Sequence, residues 1–509
     1  MRPHPDLSGT APKPTWLPIG LGSLLRLVQI WMPVVGVHSW RQADTAAMAR
    51  HFSQEGTPIW LPQIDWGGAS AGFVESEFPL YPFLVSRLYN LIGVQEWLGR
   101  GLSVLCSALT IWLVMRLGRR WFTPQVGWWA GMAFALAPLG VYYGRTFQAE
   151  ALLVLCAAGS LEAHSIFVER RKAWALSLSW ICFTGAALIK VIPLLWLGLP
   201  LLLVQLTPSP RAKAESPEQM LRRLLRLTLN PWFWVYVSTA LAVTSAWYVH
   251  AYQLGEASGL TFGFWGEDSD RSNIGLALNL SSWVNLAIRT GLRALVVTGV
   301  PLLMIGTMRC WRFGGGRIAL GGAVGMLICT VATMRSSTVH EYYQFPFLLF
   351  SSPLVGLGWQ TLQYKQRRWT IQMLLSITLI ASLSILSFDY WAVETRQRST
   401  WMPLAESIRK EIPVNARVVS VTDSDPTLLN LARRQGWIIP SRELTMDKLK
   451  ELQNDGASFL TGSLNWRNTY TPMQEAESNR IRKLIQAHNI SFMDTKEKTY
   501  LIPIKNLIP

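Results

Sequence analysis

Charge is scarce in this sequence. Of its 509 residues only 15% are Asp, Glu, Lys or Arg, where ordinary globular chains carry about 25%. A soluble protein this poor in charge would struggle to cover its surface. Cysteine is sparse too. The five cysteines (Cys106, Cys156, Cys182, Cys310 and Cys329) lie in or beside apolar segments, with no CxxC or other metal-ligand spacing, and read as small core residues. The chain has no GxGxxG or Walker sequence, so a nucleotide site has no support. No small-residue cleavage site accompanies the first apolar run, which therefore reads as a retained anchor rather than a signal peptide.

Apolar and interfacial residues take the place of charge. Half of the chain (50%) is hydrophobic, and 25 residues are tryptophan, a side chain that collects at membrane interfaces. The net charge of +16 raises the question of nucleic acid. The basic residues, however, cluster in short loops between apolar runs, where they set topology and meet anionic head groups. The partner is therefore membrane lipid and not nucleic acid.

About 20 apolar residues are needed to cross a bilayer. On that measure spans are expected at roughly 15–37, 97–117, 125–144, 147–168, 173–189, 190–206, 230–250, 287–308, 317–334, 342–362 and 369–389. The fifth and sixth form one run containing Lys190 and Pro193, readable as two tight spans or a re-entrant pair. With these eleven spans the clusters Arg116–Arg120, Val168–Lys172, Arg211–Arg226, Met308–Arg317 and Tyr364–Arg368 all fall on one side. The positive-inside rule makes that side cytoplasmic. A long first loop, about 38–96, then lies outside, with its DTAAMARHF and PLYPFLVSRLYNLI stretches expected as helices in the interface.

After about residue 395 the composition becomes that of a soluble domain. RVVSVTD, ASFLTGSL and the last residues read as strands. SDPTLLNLARRQGW, MDKLKELQNDG and EAESNRIRKLIQAHN read as helices, so the alternation predicts a small α/β domain. The expected organisation is a transmembrane domain over 1–394 and a soluble extracytoplasmic domain over 395–509.

Chemistry-bearing residues gather on the expected outer side. Asp44, in HSWRQADTAAMAR, is placed either to take a proton from an acceptor hydroxyl or to favour the dipole of the helix it begins. Glu77, in ESEFPLYP, reads as a ligand for a hydroxyl or cation, or as a helix cap. Arg145 and Glu150, in GRTFQAEALL, are ionisable residues at a bilayer edge. The arginine is suited to grip a phosphate, and a local salt bridge between the two is the other reading. Lys190 stands alone between apolar stretches, at a cost of about 3 kcal/mol on insertion scales. A lipid phosphate or a carboxylate would offset that, and snorkelling would avoid it. In HEYYQFP, Tyr343 reads as an interfacial tyrosine, and His340 stands beside Glu341.

In their order along residues 15–390, RQAD with Arg41 and Asp44, EFPLYP, GRTFQAE, GAALIKVIPLL and HEYYQFP resemble the GT-C superfamily of membrane glycosyltransferases. The nearest likeness is to the bacterial branch with protein O-mannosyltransferase-like enzymes and the lipid A aminoarabinose transferase. The resemblance implies about 11 transmembrane helices of GT-C type in the inner (plasma) membrane. It also implies inverting transfer of a hexosyl or pentosyl group from a polyprenyl-phosphate donor to a lipid, glycan or protein acceptor outside. Asp44 matches the family's general base, and Lys190 matches a recurring lysine that meets the leaving phosphate, with Arg145 as a second cation. Fixed cations there would stabilise the charge that grows on the leaving group. Many relatives carry a basic residue followed by Pro-Pro where this chain has Glu77-Phe78-Pro79. The departure implies a different acceptor, or a divalent cation (Mg or Mn) bridging Glu77 and the donor phosphate, with Asp44 as a further candidate ligand. A transporter or flippase is the other reading of a polytopic chain, but transporters often show internal repeats, and the two halves show no convincing one. A non-catalytic scaffold in envelope assembly sits poorly with the acidic outer loop.

Overall fold

The computed structural model describes residues 14–207, 209–211, 216–262, 274–464, 479, 481–483 and 498–507. The membrane part is helical. Among the described residues four helices are long and apolar enough to cross a bilayer: Glu96–Trp121, Glu150–Arg170, Gly314–Ala332 and Arg368–Glu411. Leu280–Ala294 and Gly299–Cys310 make a fifth if they count as one span bent by 98°. Exposed side chains such as Leu105, Ile181, Leu241, Leu327 and Ile380 lie on helix surfaces, as befits helices whose solvent is lipid.

Several expected spans are interrupted, each for a local reason. The first helix stops at Leu27, and the chain then turns through Gln29 with positive φ. The run 125–144 divides into Pro124–Leu136 and Pro138–Tyr143, because Pro138 has no N–H for the helix ladder. Lys190 ends the Ala173–Ile189 helix in an extended conformation, and Pro193 opens the next. Val296 and Val297 take positive φ at the bend in the fifth span, where β-branched residues are strained.

The segment over residues 38–96 also differs from its expected form. Its Ser39–Gln54 helix is not an interfacial one. Most of its residues are buried, because it packs between the Leu80–Ile92 helix and the Thr427–Ala432 helix from the far end of the chain.

Among its described residues the C-terminal part forms a four-stranded sheet in the order β2-β1-β3-β4. Its strands are β1 (Arg417–Val421), β2 (Gly436–Ile438), β3 (Ala457–Ser463) and β4 (Thr499–Pro503). β1 pairs parallel with β2 and β3, and β3 pairs antiparallel with β4. Alternation gives the sheet two apolar faces. Val419, Val421, Leu460 and Ile502 pack on one cluster, and Val418 packs on another with Leu404, Ile408, Leu428 and Val35. The expected helix over SDPTLLNLARRQGW is shorter. It ends at Ala432, Arg433 turns left-handed, and Gly436–Ile438 joins the sheet. Long-range pairing with β1 overrides local helix preference there. Most of the expected EAESNRIRKLIQAHN helix lies outside the described residues.

The link between the two parts is continuous helix. Arg368–Ile385 passes through a π-helical turn, Leu386–Trp391, into Ala392–Glu411, so the expected boundary between 394 and 395 falls within a helix. Glu394 is fully enclosed there and paired with Arg100 at 3.2 Å and with Arg145. Glu394→Ala leaves both guanidiniums enclosed without their carboxylate and is expected to cost about 3–5 kcal/mol. Glu406→Ala, on the exposed face of the same helix, should stay within about 0.5 kcal/mol of the parent. Unfolding in detergent measures both, and equal effects would contradict the assignment.

Candidate active site

The Ser39–Gln54 helix carries Asp44 toward the C-terminal sheet. His38, just before the helix, adopts a left-handed conformation, and the chain enters the helix there. Asp44 is 3% exposed. The Trp66 indole donates to its Oδ1 at 2.9 Å. Burial, with Asp65 and Asp425 nearby, outweighs Trp66 and Arg41 and pushes the carboxyl up to about 7. A carboxyl titrating near neutrality suits proton transfer at physiological pH.

One helical turn before Asp44, Arg41 pairs with Glu77 and lies 5.2 Å from the Phe262 ring centre. Lys190 donates to Glu150 at 2.5 Å and sits over the Tyr342 and Tyr343 rings at 4.5 and 5.0 Å. The lysine therefore meets a carboxylate and two π faces, which offset the cost of its charge among apolar helices. His340 is the meeting point. Its ring lies 5.3 Å from His38, 5.6 Å from Trp40, 5.3 Å from Tyr342 and 6.2 Å from Tyr343. Burial, His38, Lys190, Arg41 and Arg289 together push it down to about 2. His38, buried and facing Arg289 and Arg293, falls to about 3. Two neutral imidazoles thus stand among several cations. Glu341 faces the other way, onto Arg293 and the Tyr143 hydroxyl, the latter at 2.9 Å.

The structure thus brings together Arg41, Asp44, Glu77, Glu150, Lys190, His340 and Tyr343, with Glu341 on the adjoining layer. It does not add Arg145. That guanidinium is fully enclosed and spent on Glu394, so no free fork remains for a phosphate. Sequence reasoning missed Trp66, His38, Tyr342 and Arg289. Arg289 donates to the carbonyls of Thr338, at 2.9 Å, and Ser337, and to Gln344 at 3.3 Å. Among the described residues no carboxylate is bonded to it. Its signal was visible as an arginine in SSWVNLAIRTG, an otherwise uncharged stretch.

A divalent cation between Glu77 and Asp44 does not fit this arrangement. The Glu77 carboxylate is already met by a guanidinium, and no group of three or more His, Cys, Asp or Glu among the described residues could hold a metal.

A linkage follows from the Asp44 environment. Its folded pKa lies above the usual carboxylate value, so below about pH 4 the group is protonated in both states and costs nothing. As pH rises toward 7 the unfolded chain releases the proton first, and stability is lost. Asp44→Asn should therefore unfold at a higher temperature than the parent at pH 8, with the gap closing toward pH 4. A gap that is independent of pH would contradict the raised pKa.

Comparison with known proteins gives the fold a family context. Residues 76–250 match the model of the Dolichyl-phosphate-mannose-protein mannosyltransferase family. No curated protein matches the sequence. Among solved structures, ArnT from Cupriavidus metallidurans bound to undecaprenyl phosphate aligns over 97% of this chain and 98% of its own, with a TM-score of 0.63 and 14% identity. The archaeal oligosaccharyltransferase AglB from Archaeoglobus fulgidus, in complex with an inhibitory peptide and a dolichol-phosphate, aligns over 89% of this chain and 69% of its own, with a TM-score of 0.52 and 12% identity. Arabinofuranosyltransferase AftD from Mycobacteria aligns over 93% of this chain and 38% of its own, with a TM-score of 0.51 and 15% identity. The chain has the fold of the GT-C superfamily of membrane glycosyltransferases.

Proposed function

We propose that the protein is an integral membrane glycosyltransferase of the inner (plasma) membrane, with about eleven passes. It moves a hexosyl or pentosyl group from a polyprenyl-phosphate donor to a lipid, glycan or protein acceptor at the extracytoplasmic face. The observation that carries this reading is a buried carboxyl, Asp44, whose proton affinity is set near neutrality, at the end of the bundle where Arg41, Lys190 and Arg289 surround His340. The fold likeness to ArnT bound to undecaprenyl phosphate supports the same donor chemistry, and the basic loops support the orientation.

In the proposed reaction the acceptor hydroxyl gives its proton to Asp44 as its oxygen attacks the anomeric carbon. The bond from that carbon to the phosphate oxygen breaks on the opposite face, and its electron pair leaves with the polyprenyl phosphate. The leaving phosphate gains negative charge, and fixed cations stabilise such charge most where water is excluded. Arg289 is the best placed of them, because its hydrogen-bond partners among the described residues are neutral. Lys190 is shared with Glu150 and serves as a point charge. Trp66 holds the Asp44 carboxylate in orientation for the incoming hydroxyl.

Asp44→Asn keeps size and polarity but removes the proton acceptor. Transfer should fall by at least about 10²-fold, while the protein still folds and inserts. The product is identified first, as the glycan or glycolipid missing from a deletion strain. Turnover is then measured with purified enzyme, and near-parental turnover by Asp44→Asn would overturn the proposed role.

A further inference from the structure

The C-terminal sheet touches the first outer segment through a set of backbone bonds that no solvent-facing domain would need. The Gly436 N–H donates to the Asp65 carbonyl at 2.9 Å, and the Gly68 N–H donates to the Gly436 carbonyl at 2.8 Å. Arg417, at the start of β1, donates to the Gly68 carbonyl. The Asp65–Gly68 turn is thus laid along the free edge of β2 as a short extra rung. The side chain of Asp65 is separately fixed by Arg50 at 2.5 Å and His51 at 3.0 Å.

Between the two pinned residues stands Trp66, whose indole donates to Asp44. The fit leaves no slack. Gly68 has a φ of +62°, and a Cβ there would lie 2.4 Å from the Trp437 indole nitrogen. Gly436 is closer still, since a Cβ would lie 1.9 Å from the Val418 carbonyl oxygen. A second contact reinforces the docking: the Thr427 hydroxyl donates to the Ser39 hydroxyl at 3.0 Å, in the first turn of the helix that bears Asp44.

We propose that β2 and Arg417 are positioning elements for the base, clamping the Asp65–Gly68 turn so that Trp66 delivers its hydrogen bond to Asp44. The C-terminal sheet is then part of the site machinery and not an appendage. This deepens the proposed role of Asp44, and its test is chosen to stand apart from turnover.

The groups facing Asp44 are Arg41 on its own helix, Asp65 and Trp66 on the outer segment, and Asp425 on the C-terminal part. The indole bond favours the carboxylate, so losing it raises the pH at which Asp44 titrates. The probe is the infrared C=O stretch of the protonated carboxyl, titrated against pH on the purified full-length protein. Subtracting the Asp44→Asn spectrum isolates this one group, and no substrate is needed. Trp66→Phe keeps the ring and removes the N–H. It should move the midpoint up by about one pH unit, as expected for a lost charge-assisted bond. Gly68→Ala, which forces the turn off β2, should move it in the same direction. The double variant should move it no further than Trp66→Phe alone, because both changes act through one bond.

Arg417→Met is the second route, loosening the turn without strain at Gly68. The proposal is overturned if Gly68→Ala and Arg417→Met both leave the midpoint at the parental value, or if their shifts add to that of Trp66→Phe. A clamp confirmed in a protein whose Asp44→Asn variant still turns over would separate the two readings, leaving the positioning intact and the base assignment refuted.

Discussion

Glu394 is the charge on which the arrangement of the chain depends. A carboxylate removed from water is tolerated only with close, well-bonded partners. Here the partners come from two different elements, Arg100 in the Glu96–Trp121 helix and Arg145 in the turn after Tyr143. Arg100 also donates to the Pro33 carbonyl at 2.9 Å, and the Gly36 N–H reaches Gln397 at 2.7 Å. The last membrane helix is thereby fastened to the segment that leads into the Ser39–Gln54 helix. Because the last helix runs on to the C-terminal sheet, the same fastening sets that sheet over Asp44.

The end of the bundle that carries Asp44 sorts its cations by what they are bonded to. Arg145 is consumed by Glu394, Arg41 by Glu77, and Arg293 by Glu341 and Asp389. Lys190 divides its charge between Glu150 and the two tyrosine faces. Arg289 is bonded to two carbonyls and an amide, and among the described residues no carboxylate is hydrogen-bonded to it, although Glu341 acts on it at longer range. The same low-dielectric surroundings that make these pairs strong raise the Asp44 carboxyl toward neutrality and lower the His38 and His340 imidazoles. A cavity of about 510 Å³ at the other end of the Glu150–Arg170 helix is also basic, lined by Arg116, Arg119, Arg120, Arg170 and Arg211 with Glu162 and Glu169. It is the natural rival for any anionic ligand.

Much of this was legible in the sequence where the physics is local. Hydropathy located the apolar helices, and local patterns after residue 395 located β1, β3 and β4 of the small sheet. Helix breaks at Pro138 and Pro193 follow from single residues, yet they still reduce the helices that reach full spanning length. What could not be read depends on distant partners. Arg145 looks like a free cation until Glu394, 249 residues away, is folded onto it. Gly436–Ile438 reads as the end of a helix until β1 offers it a parallel edge. Trp66 lies in the loop sequence IDWGG, with no periodicity to mark it. Asp44 was visible by position, but the helix that carries it is covered by the Thr427–Ala432 helix nearly 400 residues further on, since Thr427 and Ser39 are 388 apart.

The central claim is that one end of the bundle receives a lipid phosphate beside Asp44. The most direct measurement is a structure of the full chain with undecaprenyl phosphate. The account predicts phosphate density bonded to Arg289 and Lys190, next to His340 and on the Asp44 side of the Tyr342 ring. Phosphate held instead in the cavity of Arg116, Arg119 and Arg120 at the opposite end, with nothing beside His340, would contradict it.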